Sequence, residues 1–218
     1  MRKLENSLPS YLERAGVLKT ARILEAFSVI DRADFVPDDL RVSAYVDEPL
    51  PIGSGQTISQ PHVVAFMLEC LDPQPGEHIM DIGAGSGWQT ALLAHIVSLK
   101  DKKGKVYAIE RVPELCEFGR GNVLKYNFIK KGVVEWFCQD ASNGLPDQAP
   151  FDKIVVAASI IDDSLPHAWQ EQLGVGGKIV VPIKNSIWLF TKQEEGRFEK
   201  EEFPGFVFVP FIKENGNK

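Results

Sequence analysis

The run Asp81-Ile82-Gly83-Ala84-Gly85-Ser86-Gly87 sets alternating glycines between an apolar stretch and a helical pattern. Glycine at such a turn lets the chain bend tightly and lets a ligand approach the backbone with no Cβ in the way. Two acids follow at equivalent places: Glu110 closes the next apolar stretch, and Asp140 follows the one after it. A carboxylate at Glu110 can accept hydrogen bonds from both hydroxyls of a ribose, and Asp140 falls near the expected adenine edge. The chemistry that suits this set is retention of a nucleoside cofactor. A dinucleotide fingerprint, G-x-G-x-x-G, needs its third glycine at position 88, where the chain has Trp88. The spacing here is G-x-G-x-G. A cofactor with no pyrophosphate also has less need of a helix N-terminus aimed at an anion.

The elements that must position these residues alternate. Strands are expected over 78–81, 105–110, 133–139, 153–158 and 178–182, with helices over 88–97, 113–126 and 165–173 between them. Such alternation predicts an α/β fold of Rossmann-like type, a mainly parallel sheet with helices on both faces. Two further strands, 187–192 and 206–211, lack a helix between them and predict an antiparallel C-terminal pair. Ahead of the sheet, Leu18, Ala21, Ile23, Leu24 and Phe27 form an apolar helical stripe, and a second helix starts at Pro61. Between them, residues 49–59 are rich in Pro, Gly, Gln, Ser and Thr, the composition of a loop able to act as a lid or substrate rim.

A chain of 218 residues, 44% hydrophobic and 25% charged, fits one domain with a packed core. That domain divides into a helical and lid segment, 1–76, and a cofactor-binding core, 77–218. The net charge of −6 argues against a nucleic-acid partner, which favours a basic face. The lysine clusters at 100–105 and 125–131 read as solvated charges. Cys70, Cys116 and Cys138 show no C-x-x-C or Cys/His metal spacing, so no metal site is expected and all three read as free thiols in a reducing cytoplasm. No apolar run reaches the ~18 residues of a membrane span, and residues 1–6 lack a signal-peptide pattern. Oligomeric state is not legible.

Several runs together resemble the protein-L-isoaspartate O-methyltransferase family. They are Gly16-Val17-Leu18-Lys19, Leu24-Glu25-Ala26-Phe27, Phe35-Val36-Pro37, Ala149-Pro150-Phe151-Asp152, Phe208-Val209-Pro210 and, above all, Pro49-Leu50-Pro51-Ile52-Gly53-Ser54-Gly55-Gln56-Thr57-Ile58-Ser59-Gln60-Pro61. The resemblance implies S-adenosyl-L-methionine as cofactor and methylation of the free α-carboxylate of L-isoaspartyl residues in damaged proteins. It also implies Ser59 as the active-site hydroxyl. Thr57, Ile58 and His62 would line the cofactor cleft, with Asp81, Gly83, Gly85, Gly87, Glu110, Asp140 and Ala141 completing it. Two positions carry a structural alternative. Ser59 could cap the helix that starts at Pro61, and His62 could simply pack at the start of that helix.

The chemistry fits what the chain lacks. A carboxylate with pKa near ~4 is ionised at neutral pH, so methyl transfer to it needs placement rather than a general base. The fourth strand runs into Val156-Ala157-Ala158-Ser159 with no acid, base or Asn/Asp-Pro-Pro-aromatic run of the DNA amino methyltransferases. Three runs depart from the family pattern: Gln139-Asp140-Ala141 for Gly-Asp-Gly, Val156-Ala157-Ala158 for Val-Thr-Ala, and a shorter connection over 183–188. These departures make another carboxylate or a small molecule the alternative substrate.

Overall fold

A computed structural model describes residues 7–160, 164–194 and 196–211. The expectation for residues 1–6 lies outside the described residues. The chain begins with helices α1 (Leu8–Arg14) and α2 (Ala21–Val29). Ile23, Ala26 and Phe27 are buried, whereas Ala21 is exposed and Leu18 packs ahead of the helix. Two short 3-10 turns, Arg32–Phe35 and Asp38–Ser43, carry the chain past Pro37.

The stretch expected to be a loop is instead a hairpin, β1 (Leu50–Gly53) and β2 (Gln56–Ile58). Ser54 and Gly55 form its two-residue turn with φ of 49° and 70°, the left-handed pair that matches strand twist. Short strands interrupted by Pro51 and Gly53 have too little apolar alternation to be legible beforehand. Helix α3 (Pro61–Leu71) follows, with Pro61 in its first turn, where a missing N–H costs nothing.

The core is a seven-stranded sheet in the order β5-β4-β3-β6-β7-β8-β9. Its elements are β3 (His78–Ile82), α4 (Trp88–Val97), β4 (Lys105–Glu110), α5 (Pro113–Leu124), β5 (Val134–Cys138), β6 (Phe151–Val156), α6 (His167–Gln172) and β7 (Leu173–Ile183). The strands β5, β4, β3, β6 and β7 run parallel. Alternation along each strand sorts side chains between two layers. Ile79, Val106, Ala108, Val155 and Val180 face α3, α4 and α5, whereas Met80, Ile82, Tyr107, Ile154 and Val181 face α6. The α6 face is thinly covered. The connection from β5 to β6 contains Ser142, Asn143, Gly144 and Pro146, turn formers that leave it without a regular α-helix. The expected helix over 165–173 is likewise shorter, because Leu173 already belongs to β7.

The C-terminal antiparallel strands are present, but one is misplaced by the sequence reading. β8 (Ser186–Glu194) pairs antiparallel with β7, and β9 (Arg197–Pro204) pairs antiparallel with β8. Residues 206–211, expected as a strand, cross back over the sheet. There Val209 O accepts from Ser159 N at 2.8 Å and Phe211 N donates to Ser159 O at 2.8 Å. The charge-rich run Glu199 to Glu202 suits an edge strand, where charge blocks pairing with another chain. The apolar 206–211 run had the higher strand propensity, and packing overrode it: Phe206 stacks on Phe66 with ring centroids 5.1 Å apart.

The three cysteines are not all free thiols, as the sequence led us to expect. Cys116 of α5 and Cys138 of β5 form a disulfide with Cα atoms 5.7 Å apart, while Cys70 is free. The pair is 22 residues apart in sequence and meets only because α5 packs on β5, so no local spacing could mark it. Among the described residues no helix is long and apolar enough to cross a membrane, and no cluster of three or more His, Cys, Asp or Glu could hold a metal ion. Thiol titration of denatured, unreduced protein should find one reactive cysteine, rising to all three after reduction. Three thiols without reduction would refute the pairing.

Candidate active site

The chain progresses from β3 through β4 to β5 on one side, then from β6 to β9 on the other. The carboxyl ends of strands flanking such a reversal form a crevice. A cleft open to solvent, enclosing about 860 Å³ of space between the protein atoms, lies there. Ile82 at the end of β3 and Gly83 just after it, Ile109 and Glu110 from β4, Gln139 after β5, and Ala157 and Ala158 after β6 form its floor. The hairpin supplies Ile52, Thr57, Ile58 and Ser59 on one rim, and the returning segment supplies Val209, Pro210 and Phe211 on another.

The glycine loop is held from both sides. Gly83 N and Ala84 N donate to Ile109 O at 2.9 and 3.1 Å, and Gly85 N donates to Glu110 Oε2 at 2.9 Å. The other carboxylate oxygen, Oε1, accepts from Val112 N at 2.8 Å. Glu110 is buried, yet an ionised carboxylate has about four acceptor positions, so capacity remains on a side chain that lines the cleft. From beneath, Asn122 Nδ2 donates to Ser86 O at 3.0 Å. A Cβ on Gly119 would overlap the Gly85 carbonyl oxygen; only glycine lets α5 approach the loop this closely. Sequence reading missed Gly119 because a glycine inside a helix carries no signal of what it approaches.

Ser59 sits just before α3, and the expected alternative role for it does not arise. The helix N-cap is Gln60, with no side-chain cap, and the His62 backbone N–H is satisfied by Asp47 Oδ1 at 2.8 Å. The Ser59 hydroxyl, on the cleft wall, makes no hydrogen bond to any described residue. Thr57, Ile58, Ser59, Gly83, Gly85, Glu110 and Ala141 are thus brought to one cleft. Gly87 and Asp140 stand just behind it, Asp140 holding its own turn through Ser142 N at 2.6 Å. His62 is not brought there. It lines a separate depression with Gly16, Lys19, Phe66 and Glu69, because the second position of α3 faces away from the sheet's carboxyl end.

Asp81 lies under the loop, fully buried, accepting from Gln89 Nε2 at 2.8 Å and Thr90 Oγ1 at 2.6 Å. Burial pushes its carboxyl up to about 6, against the two hydrogen bonds and with help from nearby Glu110. It therefore ties the loop to α4 and does not itself line the cleft. The cleft wall also carries buried N–H groups without a described partner, at Trp88 Nε1 and Arg111 Nη1. Glu110 and the open glycine cradle fit a ligand with both polar and ring atoms. Arg111, Val112 and Leu115 carried no sequence signal, since a residue following a strand can face either way.

Sheet order, glycine loop and acid at the end of the second parallel strand define an S-adenosylmethionine-dependent methyltransferase. The family model for protein-L-isoaspartate(D-aspartate) O-methyltransferase matches residues 3–216. A protein-L-isoaspartate O-methyltransferase of Methanopyrus kandleri is 41% identical over 99% of this chain and 94% of its own. One from Aeropyrum pernix is 46% identical over 94% and 78%. A solved β-aspartate methyltransferase (PCMT) from Plasmodium falciparum, in complex with S-adenosyl-L-homocysteine, superimposes with a TM-score of 0.80 at 25% identity over 94% of this chain and 96% of that one. The chain belongs to the protein-L-isoaspartate(D-aspartate) O-methyltransferase family.

Asp81 gives a pH test. An unfolded Asp titrates near 3.8 and the folded one near 6, so between those values the folded state holds a proton that the unfolded state lacks. Stability should fall as pH rises through this window, by on the order of 3 kcal/mol at ~1.4 kcal/mol per pKa unit. Urea melts of the parent and of Asp81→Asn should therefore diverge between pH 4 and 7, the parent losing ground. A constant gap would show that Asp81 does not titrate as described.

Proposed function

We propose that this protein transfers the methyl group of S-adenosylmethionine to the free α-carboxylate of L-isoaspartyl residues in damaged proteins, with Ser59 orienting that carboxylate. The observation that carries the assignment of Ser59 is its unspent hydroxyl, on the wall of the same cleft as Gly83, Gly85 and Glu110. Family membership supports the reaction and its substrate class.

The cofactor supplies an electrophilic methyl group on a sulfonium centre. The chain's own residues have three tasks. Glu110, already fixed by two backbone N–H groups, would accept from the ribose hydroxyls, while the glycine loop leaves the backbone accessible without side-chain obstruction. Asp140 and Ala141 would hold the adenine end of the cofactor, Asp140 by fixing the turn that carries Ala141, and Thr57 and Ile58 would close the side toward the hairpin. Ser59 donates to one oxygen of the incoming carboxylate, which leaves the other free to attack in line. No proton has to move, because the nucleophile is already ionised. The apolar pair Ala157 and Ala158 and the returning segment Val209–Phe211 keep water from the reacting atoms.

The segment 1–76 acts as rim to the core 77–218 within one functional domain. A net charge of −6 suits a polypeptide substrate over nucleic acid, and we place its action in the cytoplasm. Another carboxylate or a small molecule is the second reading, favoured by Ala157, whose methyl group replaces the family's hydroxyl on the cleft floor.

Transfer of labelled methyl from S-adenosylmethionine should go to an isoaspartyl peptide and not to its aspartyl twin. Ser59→Ala should lower kcat/KM about 10- to 100-fold, the worth of one hydrogen bond to a charged group. Cofactor binding with no transfer to either peptide would overturn the substrate assignment. Full activity in Ser59→Ala would overturn the role of the hydroxyl alone.

A further inference from the structure

Arg32 is almost wholly buried, at 1% exposure, and lies outside the cleft. Its guanidinium donates to four backbone carbonyls: Nη1 to Ala44 O at 2.9 Å and Val46 O at 3.1 Å, Nη2 to Glu48 O at 2.9 Å and Ser59 O at 3.0 Å. Its Cζ lies over the Trp88 ring, 5.3 Å from the centroid; Trp88 is the first residue of α4 after the glycine loop. Among the described residues no carboxylate forms an ion pair with it; Asp47 acts on it only at longer range. Placing a cation in the interior against carbonyls alone is expensive, and simple packing would be served as well by an apolar side chain. What a planar fork can do, and an apolar group cannot, is fix several acceptors in one geometry.

The acceptors belong to two segments, residues 44–48 and Ser59, which flank the hairpin pairing of Leu50 with Ile58. Residues 44–48 form an irregular stretch before the hairpin, with Tyr45 and Val46 exposed. Ser59 lies two residues ahead of α3. Asp47, in the same stretch, also holds the His62 N–H. One cation therefore sets the backbone of the residue that carries the free hydroxyl relative to Trp88, a wall of the cofactor cleft.

We infer that Arg32 is a positioning residue: it holds the Ser59 backbone in register with the cofactor cleft, so that the hydroxyl meets the substrate carboxylate in line with the transferred methyl group. The inference rests on the role of Ser59 proposed above. Lysine at this place keeps the charge but offers three donors from a point, without a plane to lie against Trp88.

The test is a double-mutant cycle with Arg32→Lys and Ser59→Ala, read by kcat on the isoaspartyl peptide and by calorimetric binding of S-adenosylhomocysteine. Misplacing a reacting partner by an ångström can cost about 100-fold. Arg32→Lys should thus lower kcat at least about 10-fold in the parent and less than about threefold once Ser59→Ala has removed the hydroxyl, since coupled sites are not additive. S-adenosylhomocysteine affinity should stay within about threefold throughout, because Arg32 touches no cofactor-binding group except the Trp88 face. Equal losses in both backgrounds would make Arg32 a structural residue only and overturn the inference. No loss from Ser59→Ala alone would instead bring down the reading of Ser59. Should Arg32→Lys fail to fold, Arg32→Gln runs the same cycle; failure of both to fold would assign Arg32 to stability and also overturn the inference.

Discussion

One carboxylate holds the cofactor side of this protein together. Glu110 accepts Gly85 N with one oxygen and Val112 N with the other, and so joins the glycine loop after β3 to the turn that starts α5. Neither amide has a regular partner at the end of its element. Charged acceptors make the stronger class of hydrogen bond, and here the bond lies in a buried setting with little screening. The loop is thereby held in place by protein groups before any ligand arrives, and the cost of ordering it is met during folding. The approach of Gly119 to Gly85 and the bond from Asn122 to Ser86 depend on the same placement.

On the opposite wall of the cleft the logic differs. The hairpin and the residues before it bury Ala44, Ile52 and Ile58 in the core, and polar side chains reaching in from elsewhere also fix their backbone. Arg32 gathers four carbonyls, and Asp47 takes the capping task that would otherwise occupy Ser59. The consequence is a free hydroxyl beside a rigid cradle. Catalysis that requires alignment and no proton transfer needs little more from a protein. Buried ionisable groups such as Asp81 and Arg32 reduce stability on their own account; their return is a single geometry for loop and rim.

The parallel core was legible because its signals are local and redundant. Helix 88–97 and strand 105–110 fall where glycine, apolar periodicity and terminal acid place them. The cluster of Gly83, Gly85 and Glu110 followed from the glycine spacing and the strand ends together, since a parallel sheet brings successive strand ends to one edge. Other features depend on contacts far apart in sequence. The disulfide arises from α5 on β5, the charged edge strand 197–204 from pairing with β8, and the cross-over of 206–211 from Phe66. His62 went astray because proximity to Ser59 in sequence says nothing about helix facing. Arg32 was invisible: its partners are backbone carbonyls, which leave no trace in residue identity.

The most direct test of the account is calorimetric titration of Glu110→Gln with S-adenosylhomocysteine, alongside a thermal melt to verify folding. Glutamine keeps size and one acceptor oxygen, but turns an amide N–H toward either a backbone N–H or the ribose. The account predicts a folded protein whose affinity drops about 10- to 100-fold, the loss of one or two charge-assisted hydrogen bonds. Affinity within twofold of the parent would contradict it, and would mean that the cofactor is held by other residues than the strand-end acid.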